Sequence, residues 1–492
     1  MFFKTVWQKI MATTAAAAVV PDVNELFGPY LSPGASIYLA SDANYTAEVT
    51  QRWSDFAAPS YIATIKPAIV DDVQNIVKIA SSSGIPFLVT GGGHGVSIQM
   101  EGLQGGIQVD LSNFNSVQFD QTTALLTVGG SAKFSQLIDP TYKFGYQFPL
   151  GTAHCVGVVG ATLGAGISGN QGYMGLLIDL LEEAQVVTST GDVVTASRRE
   201  NPDLFWALRG AGANFGIVTS ATYTVPKTPN NGNVTNASYL FQGSKAREVY
   251  EYLATLDDDM SAFLALNIVA LVDPNSGQVV VIVNANFAGP VSVAKEYLAP
   301  LEALGPLRSE MFSVAWPDVA STSFFGIEDT RACSRNQHVN MRSVAAKRTD
   351  PQVTLEFITE LDRFTKANPD VMTTVMIHRF PTQKVLGVSD EDSVYPHRDL
   401  KMHIQLESEY DDYSKDSIVS EFLDAARRNF TAASGYDEPA VYVNFAHGDE
   451  GPAAWYGARN LGKLGHLKQK WDPQGLFNFY DVVPMASSSA EL

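Results

Sequence analysis

A histidine stands inside a run of glycines in the first quarter of the chain. Residues 90–97 read Thr-Gly-Gly-Gly-His-Gly-Val-Ser and directly follow the apolar segment Ile-Pro-Phe-Leu-Val at residues 85–89. Glycine adopts positive φ without steric cost and lets a ligand approach the backbone N–H groups closely. The pattern therefore predicts a strand and then a loop that presents the imidazole of His94 to a planar or phosphorylated ligand. By itself, this segment fits equally well a glycine-rich turn with an incidental histidine.

Two more glycine-rich segments follow the first one. Residues 151–160 read Gly-Thr-Ala-His-Cys-Val-Gly-Val-Val-Gly. Residues 203–219 read Asp-Leu-Phe-Trp-Ala-Leu-Arg-Gly-Ala-Gly-Ala-Asn-Phe-Gly-Ile-Val-Thr. Neither is a G-x-G-x-x-G sequence with an acid about 20 residues later, and the chain has no Walker A sequence. A nicotinamide dinucleotide site of the Rossmann type and a P-loop nucleotide site are therefore not supported.

The composition narrows the classes of partner. The 492 residues are 45% hydrophobic and carry a net charge of −19, so the chain can bury large cores and repels phosphate backbones and anionic lipid. We therefore expect neither a nucleic-acid nor a membrane partner. Only two cysteines occur, Cys155 and Cys333, which are too few for a Cys-rich metal site, and no metal site is predicted. The two can pair with each other, but their spacing does not decide whether they do.

The elements that would position these loops alternate between strands and helices. A helix is predicted over residues 70–80, because Val73, Ile76, Val77 and Ala80 recur at helical spacing after two acids. Strands are predicted at 61–65, 85–89, 107–111 and 124–128.

A polar segment rich in turn formers, residues 226–233, predicts a linker. Beyond it, strands such as 279–283 and 402–406 interleave with helical patterns such as 245–253. This texture indicates a large antiparallel sheet backed by helices, and an α+β fold overall.

Four segments in matching order resemble the berberine-bridge-enzyme-like oxidases of the vanillyl-alcohol-oxidase / p-cresol-methylhydroxylase superfamily. They are the loop at 90–97, the segment at 151–160, the block at 203–219, and Trp-Asp-Pro-Gln-Gly-Leu-Phe-Asn at 471–478. The resemblance is closest to fungal members, many of them associated with secondary metabolism.

The resemblance implies a two-part domain that binds FAD and a substrate-binding domain inserted into it. The FAD-binding domain would comprise residues 1–225 plus 445–492, with a core of the p-cresol-methylhydroxylase type at about 59–227. The substrate-binding domain would comprise residues 226–444 and be built on the large antiparallel sheet.

The resemblance also assigns residues to the cofactor. The family's loop histidine, which is bonded to the flavin 8α carbon, falls on His94. The remaining residues implied to line FAD are Gly91, Gly92, Gly93, Gly95, Ser97, Thr152, Val156, Gly157, Gly160, Gly164, Ile217, Val218, Asn444 and Asn478. Many relatives bind the flavin a second time through a cysteine in a G-x-C-x-x-V-G segment, but that position is Ala153 here, and Cys155 lies two residues later. The implied attachment is a single bond through His94. A second bond through Cys155 would need a shifted loop, and Cys155 is otherwise interpreted as a small buried apolar residue.

Substrate chemistry is expected on the strand at 402–406, where alternation puts His403 and Gln405 on one face. Relatives hold Glu or Gln at the Gln405 position, so the expected carboxylate base is missing here. His403, whose unperturbed pKa would be about 6.5, is the candidate base, and a solvent-facing histidine is the alternative. Residues 442–445 resemble the family's Y-x-N-Y element, which implies that Tyr442 bonds the substrate hydroxyl and Asn444 the flavin. A core aromatic is an equally good interpretation of Tyr442.

The implied reaction is an oxidation in which hydride passes from a small alcohol, or a phenolic or polyketide-derived substrate, to covalently bound FAD, with O₂ reduced to H₂O₂. A carbohydrate (oligosaccharide) oxidase, a flavin-dependent oxidative cyclase and a non-catalytic flavoprotein are the alternatives. Oligomeric state is not predicted.

The N-terminal residues 2–20 fit either a weak secretory signal or an ordinary helix. Four N-x-S/T sequons, at Asn44, Asn233, Asn236 and Asn429, slightly favour secretion.

Overall fold

The computed structural model describes residues 22–151, 153–327 and 332–486. The secretory segment considered above lies outside them. Sixteen strands are found in these ranges: β1 (Ser36–Leu39), β2 (Tyr61–Lys66), β3 (Phe87–Thr90), β4 (Gly106–Asp110), β5 (Val117–Asp120), β6 (Leu125–Gly129), β7 (Leu181–Val187), β8 (Val193–Ser197), β9 (Ile217–Thr224), β10 (Asn233–Gln242), β11 (Leu264–Val272), β12 (Val279–Phe287), β13 (Arg308–Ala315), β14 (Val339–Ala346), β15 (Met372–Arg379) and β16 (Met402–Glu409).

The α-helices of the same ranges are α1 (Val23–Phe27), α2 (Tyr45–Glu48), α3 (Val70–Ser83), α4 (Ile138–Tyr142), α5 (Val158–Leu163), α6 (Gln171–Met174), α7 (Leu177–Leu180), α8 (Pro202–Ala211), α9 (Ala246–Thr255), α10 (Val291–Ala303), α11 (Val319–Thr322), α12 (Pro351–Ala367), α13 (Gln383–Leu386), α14 (Asp416–Ala433), α15 (Pro452–Tyr456) and α16 (Ala458–Trp471). Among the helices described, none is long and apolar enough to cross a membrane.

A four-stranded sheet, in the order β1-β2-β4-β3, positions the first glycine loop. Strands β2, β4 and β3 are parallel, and α3 packs its apolar stripe against them. The helix begins where Asp72 Oδ2 accepts hydrogen bonds from the backbone N of Ala68 and Ile69, at 2.8 and 3.1 Å. It ends at Gly84, whose φ of +65° suits glycine. The chain then turns directly into β3, at whose end the glycine loop begins.

A five-stranded antiparallel sheet, in the order β5-β6-β9-β7-β8, forms the other half of this part of the molecule. Its core contains apolar side chains from α5 and α8 and also from the C-terminal helices α15 and α16. Two segments far apart in sequence therefore share one hydrophobic core, which is the two-part arrangement that the sequence predicts.

A seven-stranded antiparallel sheet, in the order β13-β10-β12-β11-β15-β16-β14, occupies the middle of the chain. Helices α9, α10, α12 and α14 contribute to the apolar core on one of its faces. This confirms the predicted α+β fold and the large antiparallel sheet backed by helices. The strands of the sheet lie between residues 233 and 409, inside the predicted substrate-binding domain at 226–444, whose bounds stay a prediction.

The strands and helices predicted from periodicity are all present. Strand β3 begins two residues later than predicted, after Pro86, which lacks the N–H that a strand would use. One sequon does not fit the fold: Asn236 is 1% exposed and bonded to Asn284 and Thr322, so it is not a glycosylation site in the folded protein. The other three sequon asparagines are exposed.

Candidate active site

The first glycine loop, at residues 90–97, lies directly against the second glycine loop, at residues 151–160. A Cβ on Gly92 would lie 2.5 Å from the backbone N of Gly157, and one on Gly91 would lie 3.1 Å from the carbonyl O of Gly130. Gly93 has a φ of +72°, and its carbonyl O accepts a hydrogen bond from the backbone N of Trp53 at 2.8 Å. Any side chain at Gly92 would push the two loops apart, so glycine is required for their close approach.

His94 presents a buried ring nitrogen, Nε2, that has no hydrogen-bond partner among the described residues. Its ring stacks on Trp53, with centroids 6.3 Å apart and planes inclined by 19°. Burial lowers the pKa of His94 to about 3. Three nearby cations contribute to this shift: Arg335, Lys133 and Arg52. The imidazole is therefore neutral near pH 7 and lies in positively charged surroundings.

Arg335 connects the first glycine loop to a segment far along the chain. Its Nη1 donates to the carbonyl O of Gly92 at 2.9 Å and to that of Gln51 at 3.3 Å. Two residues earlier, Cys333 forms a disulfide with Cys155 of the second glycine loop, and their Cα atoms are 5.8 Å apart. The interpretation of Cys155 as a small apolar residue is therefore wrong, because its sulfur is engaged in a covalent cross-link.

The end of the chain closes over the residues that follow His94. The hydroxyl of Ser97 donates to Asp481 Oδ1 at 2.8 Å, and the backbone N of Ile98 donates to the carbonyl O of His447 at 2.8 Å. A Cβ on Gly95 would lie 2.8 Å from the ring of Tyr480. The side chain of Ser97 is thus committed to Asp481, which leaves its backbone for the predicted cofactor contact.

The remaining predicted cofactor residues are distributed around these loops. Thr152 lies outside the described residues. A Cβ on Gly164, at the end of α5, would overlap the amide of Asn444, only 2.1 Å from Oδ1. Ile217 and Val218 begin β9 and bury their side chains in the hydrophobic cores, so only their backbone is left for a ligand.

Val156 packs partly buried against the core of the five-stranded sheet, whereas Gly160 and Asn478 are exposed. The cofactor roles of these residues stay predictions.

His403 and Gln405 share the face of the seven-stranded sheet that is opposite its helices, as alternation predicts. Their neighbours Met402, Ile404 and Leu406 pack under the helices. His403 is 2% exposed, so the solvent-facing alternative is wrong. Burial lowers the pKa of His403 well below its usual value, which corrects the expectation of a base that titrates near 6.5. The ring is neutral near pH 7, with Nδ1 buried and unpaired among the described residues.

Sequence reasoning missed His378, which lies on β15 beside these two residues. Its Nε2 lies 2.5 Å from Oε1 of Gln405, and its Nδ1 lies 2.7 Å from Oδ1 of Asn267 on β11. Burial lowers the pKa of His378 to about 4. The signal that could have found Asn267 is its amide in the middle of an otherwise apolar strand, where asparagine is disfavoured.

Tyr442 makes both the contacts of a core aromatic and those of a polar site residue. Its ring lies 5.4 Å from that of His403 and 4.9 Å from that of Phe445. Its hydroxyl oxygen accepts hydrogen bonds from the backbone N of Gly166 at 3.1 Å and from Nδ2 of Asn444 at 2.7 Å. Burial raises the pKa of Tyr442 to about 12. The hydroxyl keeps its proton and has that proton left to donate.

An open pocket with a volume of about 80 Å³ lies beside this cluster. One side is formed by residues of the second glycine loop, including Gly151 and His154, and the sheet contributes Asn267, Asn286 and Phe380. Phe263, which is 41% exposed, stacks on Tyr173 with ring centroids 5.0 Å apart, and both line the pocket. None of the described residues that line it is Asp, Glu, Lys or Arg.

Two side chains that line this pocket connect it to the predicted catalytic residues. Asn267 reaches Gln405 through His378, and Phe380 reaches His403 directly. Asn267 is bonded to His378, and the ring of Phe380 lies 6.5 Å from that of His403. The pocket therefore lies between the second glycine loop and the polar face of the sheet.

These residues fit FAD. Two glycine loops in backbone contact provide N–H groups for a pyrophosphate, and the cations beside His94 complement its negative charge. His94 is a neutral imidazole with a lone pair on one ring nitrogen, and its buried Nε2 has no hydrogen-bond partner among the described residues. The fold and the site define a flavin-binding oxidoreductase with a pocket between its second glycine loop and a large antiparallel sheet.

Comparison with known proteins gives the family. Residues 61–197 match the family described as FAD binding domain, and residues 441–484 match the one described as Berberine and berberine like. FAD-linked oxidoreductase tazG of Aspergillus terreus is 43% identical over 480 residues, which is 97% of this chain and 98% of that protein. The chain belongs to the berberine-bridge-enzyme-like FAD-linked oxidoreductases, and it is an enzyme that uses FAD.

Two solved structures share the fold at low sequence identity. The xylooligosaccharide oxidase from Myceliophthora thermophila C1 in complex with xylobiose is 24% identical with a TM-score of 0.79, covering 94% of this chain and 99% of that one. The glucooligosaccharide oxidase from Acremonium strictum is 20% identical with a TM-score of 0.81, covering 95% of this chain and 100% of that one. The flavin of the latter is described as 6-S-cysteinyl, 8α-N1-histidyl FAD.

Proposed function

We propose that the enzyme oxidises a small uncharged alcohol, or a phenolic or polyketide-derived substrate, with FAD bonded covalently through His94 and O₂ as the final electron acceptor. The observation that carries the proposal is the state of His94. It is a neutral imidazole with an unpaired nitrogen, held in a positively charged glycine loop that packs against the second glycine loop, part of which lines the pocket. A protonated histidine could not form the bond, because its lone pair would be occupied.

Bound FAD supplies the two-electron acceptor that amino-acid side chains lack. The protein has to hold the substrate and take the hydroxyl proton as the carbon–hydrogen bond gives up its hydride. Unpaired Nδ1 of His403 is the candidate acceptor of that proton. Its lowered pKa makes His403 a weak base that gives the proton up again, and this proton and the hydride together would convert O₂ to H₂O₂. Tyr442, un-ionised and with a free hydroxyl proton, is suited to orient the substrate oxygen.

An aromatic or polyketide-derived substrate is favoured by the lining of the pocket. Four aromatic side chains line it: Tyr173, Phe263, Trp316 and Phe380. With no Asp, Glu, Lys or Arg among the described lining residues, charged substrates would be desolvated with little compensation. Carbohydrate oxidation is the second candidate, because the two structural neighbours are oligosaccharide oxidases. A panel of aromatic alcohols, phenols and neutral sugars, scored for H₂O₂, separates the two.

The attachment of the flavin is tested by denaturing the purified holoenzyme in acid. We expect yellow colour to stay with the precipitated protein, to be lost to the supernatant in His94→Ala, and to be retained in Cys155→Ala. Free FAD released from the wild type would refute attachment through His94. Substrate added without oxygen should bleach the flavin spectrum; a product formed without bleaching would instead support a cyclase in which no net oxidation occurs.

A further inference from the structure

Three asparagines form one hydrogen-bonded row on the side of the seven-stranded sheet opposite its helices. Nδ2 of Asn286 donates to Oδ1 of Asn284 at 2.9 Å, and Nδ2 of Asn284 donates to Oδ1 of Asn236 at 2.8 Å. Nδ2 of Asn236 donates in turn to the hydroxyl of Thr322 at 2.8 Å. Asn236 and Asn284 are buried, whereas Asn286 is partly buried and lines the pocket. We call Asn286, Asn284, Asn236 and Thr322 the amide row.

The direction of the amide row is fixed at two points by backbone carbonyls, which can only accept hydrogen bonds. Nδ2 of Asn284 also faces the carbonyl O of Ala237 at 3.2 Å, so the nitrogen and not the oxygen of that amide must lie there. The hydroxyl of Thr322 donates to the carbonyl O of Asp318 at 2.7 Å, so it has to accept from Asn236. Each amide therefore donates away from the pocket.

The consequence appears at the pocket end. Because Nδ2 of Asn286 is used on Asn284, its oxygen is the atom left over, and Oδ1 is buried without a hydrogen-bond partner among the described residues. A buried unpaired acceptor is costly and is normally satisfied by a ligand or by water. The amide row thus fixes the orientation of the Asn286 amide, so that Oδ1 cannot exchange places with Nδ2 without breaking the bonds behind it.

We propose that Asn286 is a specificity-determining residue, whose amide oxygen accepts a hydrogen bond from a hydroxyl group of an uncharged substrate. The inference deepens the proposed function, on which it rests only in taking this pocket as the substrate site. Trp316 and Phe263 line the same pocket, so the hydroxyl is carried by an apolar or aromatic body. A compound that offers only an acceptor at that position, such as a methyl ether, would face the lone pairs of Oδ1.

The test is the affinity of the holoenzyme for matched pairs of hydroxyl compounds and their methyl ethers, measured by calorimetric titration without oxygen. Suitable pairs are 2-naphthol with 2-methoxynaphthalene, and benzyl alcohol with benzyl methyl ether. We expect at least one hydroxyl compound to bind about tenfold more tightly than its ether. Asn286→Ala should remove the preference by weakening the hydroxyl compound, while Asn286→Asp, which keeps an acceptor oxygen, should retain it. Asn429→Ala, at an exposed position on α14, is the matched control.

Two results would overturn the proposal. One is a wild type that binds ethers as tightly as hydroxyl compounds, or binds neither. The other is an Asn286→Ala protein that retains FAD and keeps the full preference. These outcomes are distinct from failure of the proposed function, because oxidation can proceed without any hydroxyl preference. Conversely, a hydroxyl preference that depends on Asn286 can exist in a protein that oxidises none of the compounds.

Discussion

Nε2 of His378 lies 2.5 Å from Oε1 of Gln405, on the buried face of the sheet that lies beside the pocket. The other ring nitrogen lies 2.7 Å from Oδ1 of Asn267. Burial lowers the pKa of His378 to about 4, so near pH 7 the ring is neutral and has one N–H and one acceptor nitrogen. One of the two amides must therefore turn its NH₂ group to the ring. The orientation of Gln405 is thus tied to that of Asn267, which lines the pocket.

A carboxylate at position 405 should give the enzyme a pH dependence that it now lacks. His378 and His403 both have lowered pKa values, so we expect the wild-type kcat to be flat from about pH 6 to 9. In Gln405→Glu the carboxylate can only accept, which forces Nε2 of His378 to donate and places an ionisable base on this face. We expect kcat to rise with pH along a new acidic limb, measured on the best substrate of the oxidation panel.

Gln405→Leu is the control for that experiment, because it removes the amide without adding an ionisable group. Its kcat should fall while the flat profile is kept. If Gln405→Glu had the same flat profile as the wild type, position 405 would not take part in the proton transfer.

Removal of the Tyr442 hydroxyl should affect both folding and turnover. In Tyr442→Phe the backbone N–H of Gly166 and the amide of Asn444 lose their common acceptor at a buried position. We expect the free energy of unfolding to fall by about 1–3 kcal/mol and kcat/KM by about tenfold or more. Because the pKa of Tyr442 is about 12, wild-type kcat should not change between pH 8 and 10 through its ionisation. Tyr30→Phe, at a position 60% exposed, should leave both quantities unchanged. If Tyr30→Phe lowered stability and kcat/KM as much as Tyr442→Phe, the loss would not report on this site, and a role for Tyr442 in it would be refuted.

The sequence predicts the loops and strands of this site better than the contacts between residues that are far apart in the chain. Glycine spacing identifies the loop of His94, and alternation correctly puts His403 and Gln405 on one face, because both are local properties of the chain. His378 could not be linked to Asn267, since their contact depends on β11 pairing with β15 across 111 residues. The pairing of Cys155 with Cys333 and the unpaired oxygen of Asn286 depend likewise on the tertiary structure. The pKa expected for His403 is wrong for the same reason, because the burial that lowers the pKa depends on which residues cover this face of the sheet.

Asp481 should lower the stability of the protein as pH rises. Its carboxyl group is 0% exposed, and burial raises the pKa of Asp481 well above its usual value, which the neighbouring Glu450 reinforces. The native state therefore keeps a proton that the unfolded chain releases near pH 4. The stabilising effect of that proton is fully present below the unfolded pKa and is lost as pH rises towards the folded pKa, by up to about 1.4 kcal/mol per pH unit.

Asp481→Asn should relieve this loss, because the amide is neutral at every pH. Its oxygen can still accept from Ser97, and asparagine tolerates the φ of +41° found at this position. We expect the variant to have a higher Tm than the wild type at pH 8 and nearly the same Tm at pH 4, measured on the holoenzyme. The exposed Asp139→Asn is the control. A difference in Tm that is the same at both pH values would mean that Asp481 is ionised in the folded protein.

The disulfide between Cys155 and Cys333 should stabilise the protein without carrying the flavin. It closes a loop across 178 residues, so the chain-entropy argument gives a stabilisation of about 2–5 kcal/mol. Cys333→Ser and Cys155→Ala should each lower Tm by the same amount, and a reducing agent should lower the Tm of the wild type to theirs. Mass spectrometry without reduction should find the two cysteine peptides joined. A flavin on the Cys155 peptide, or flavin released by acid from Cys155→Ala alone, would show instead that Cys155 binds the cofactor.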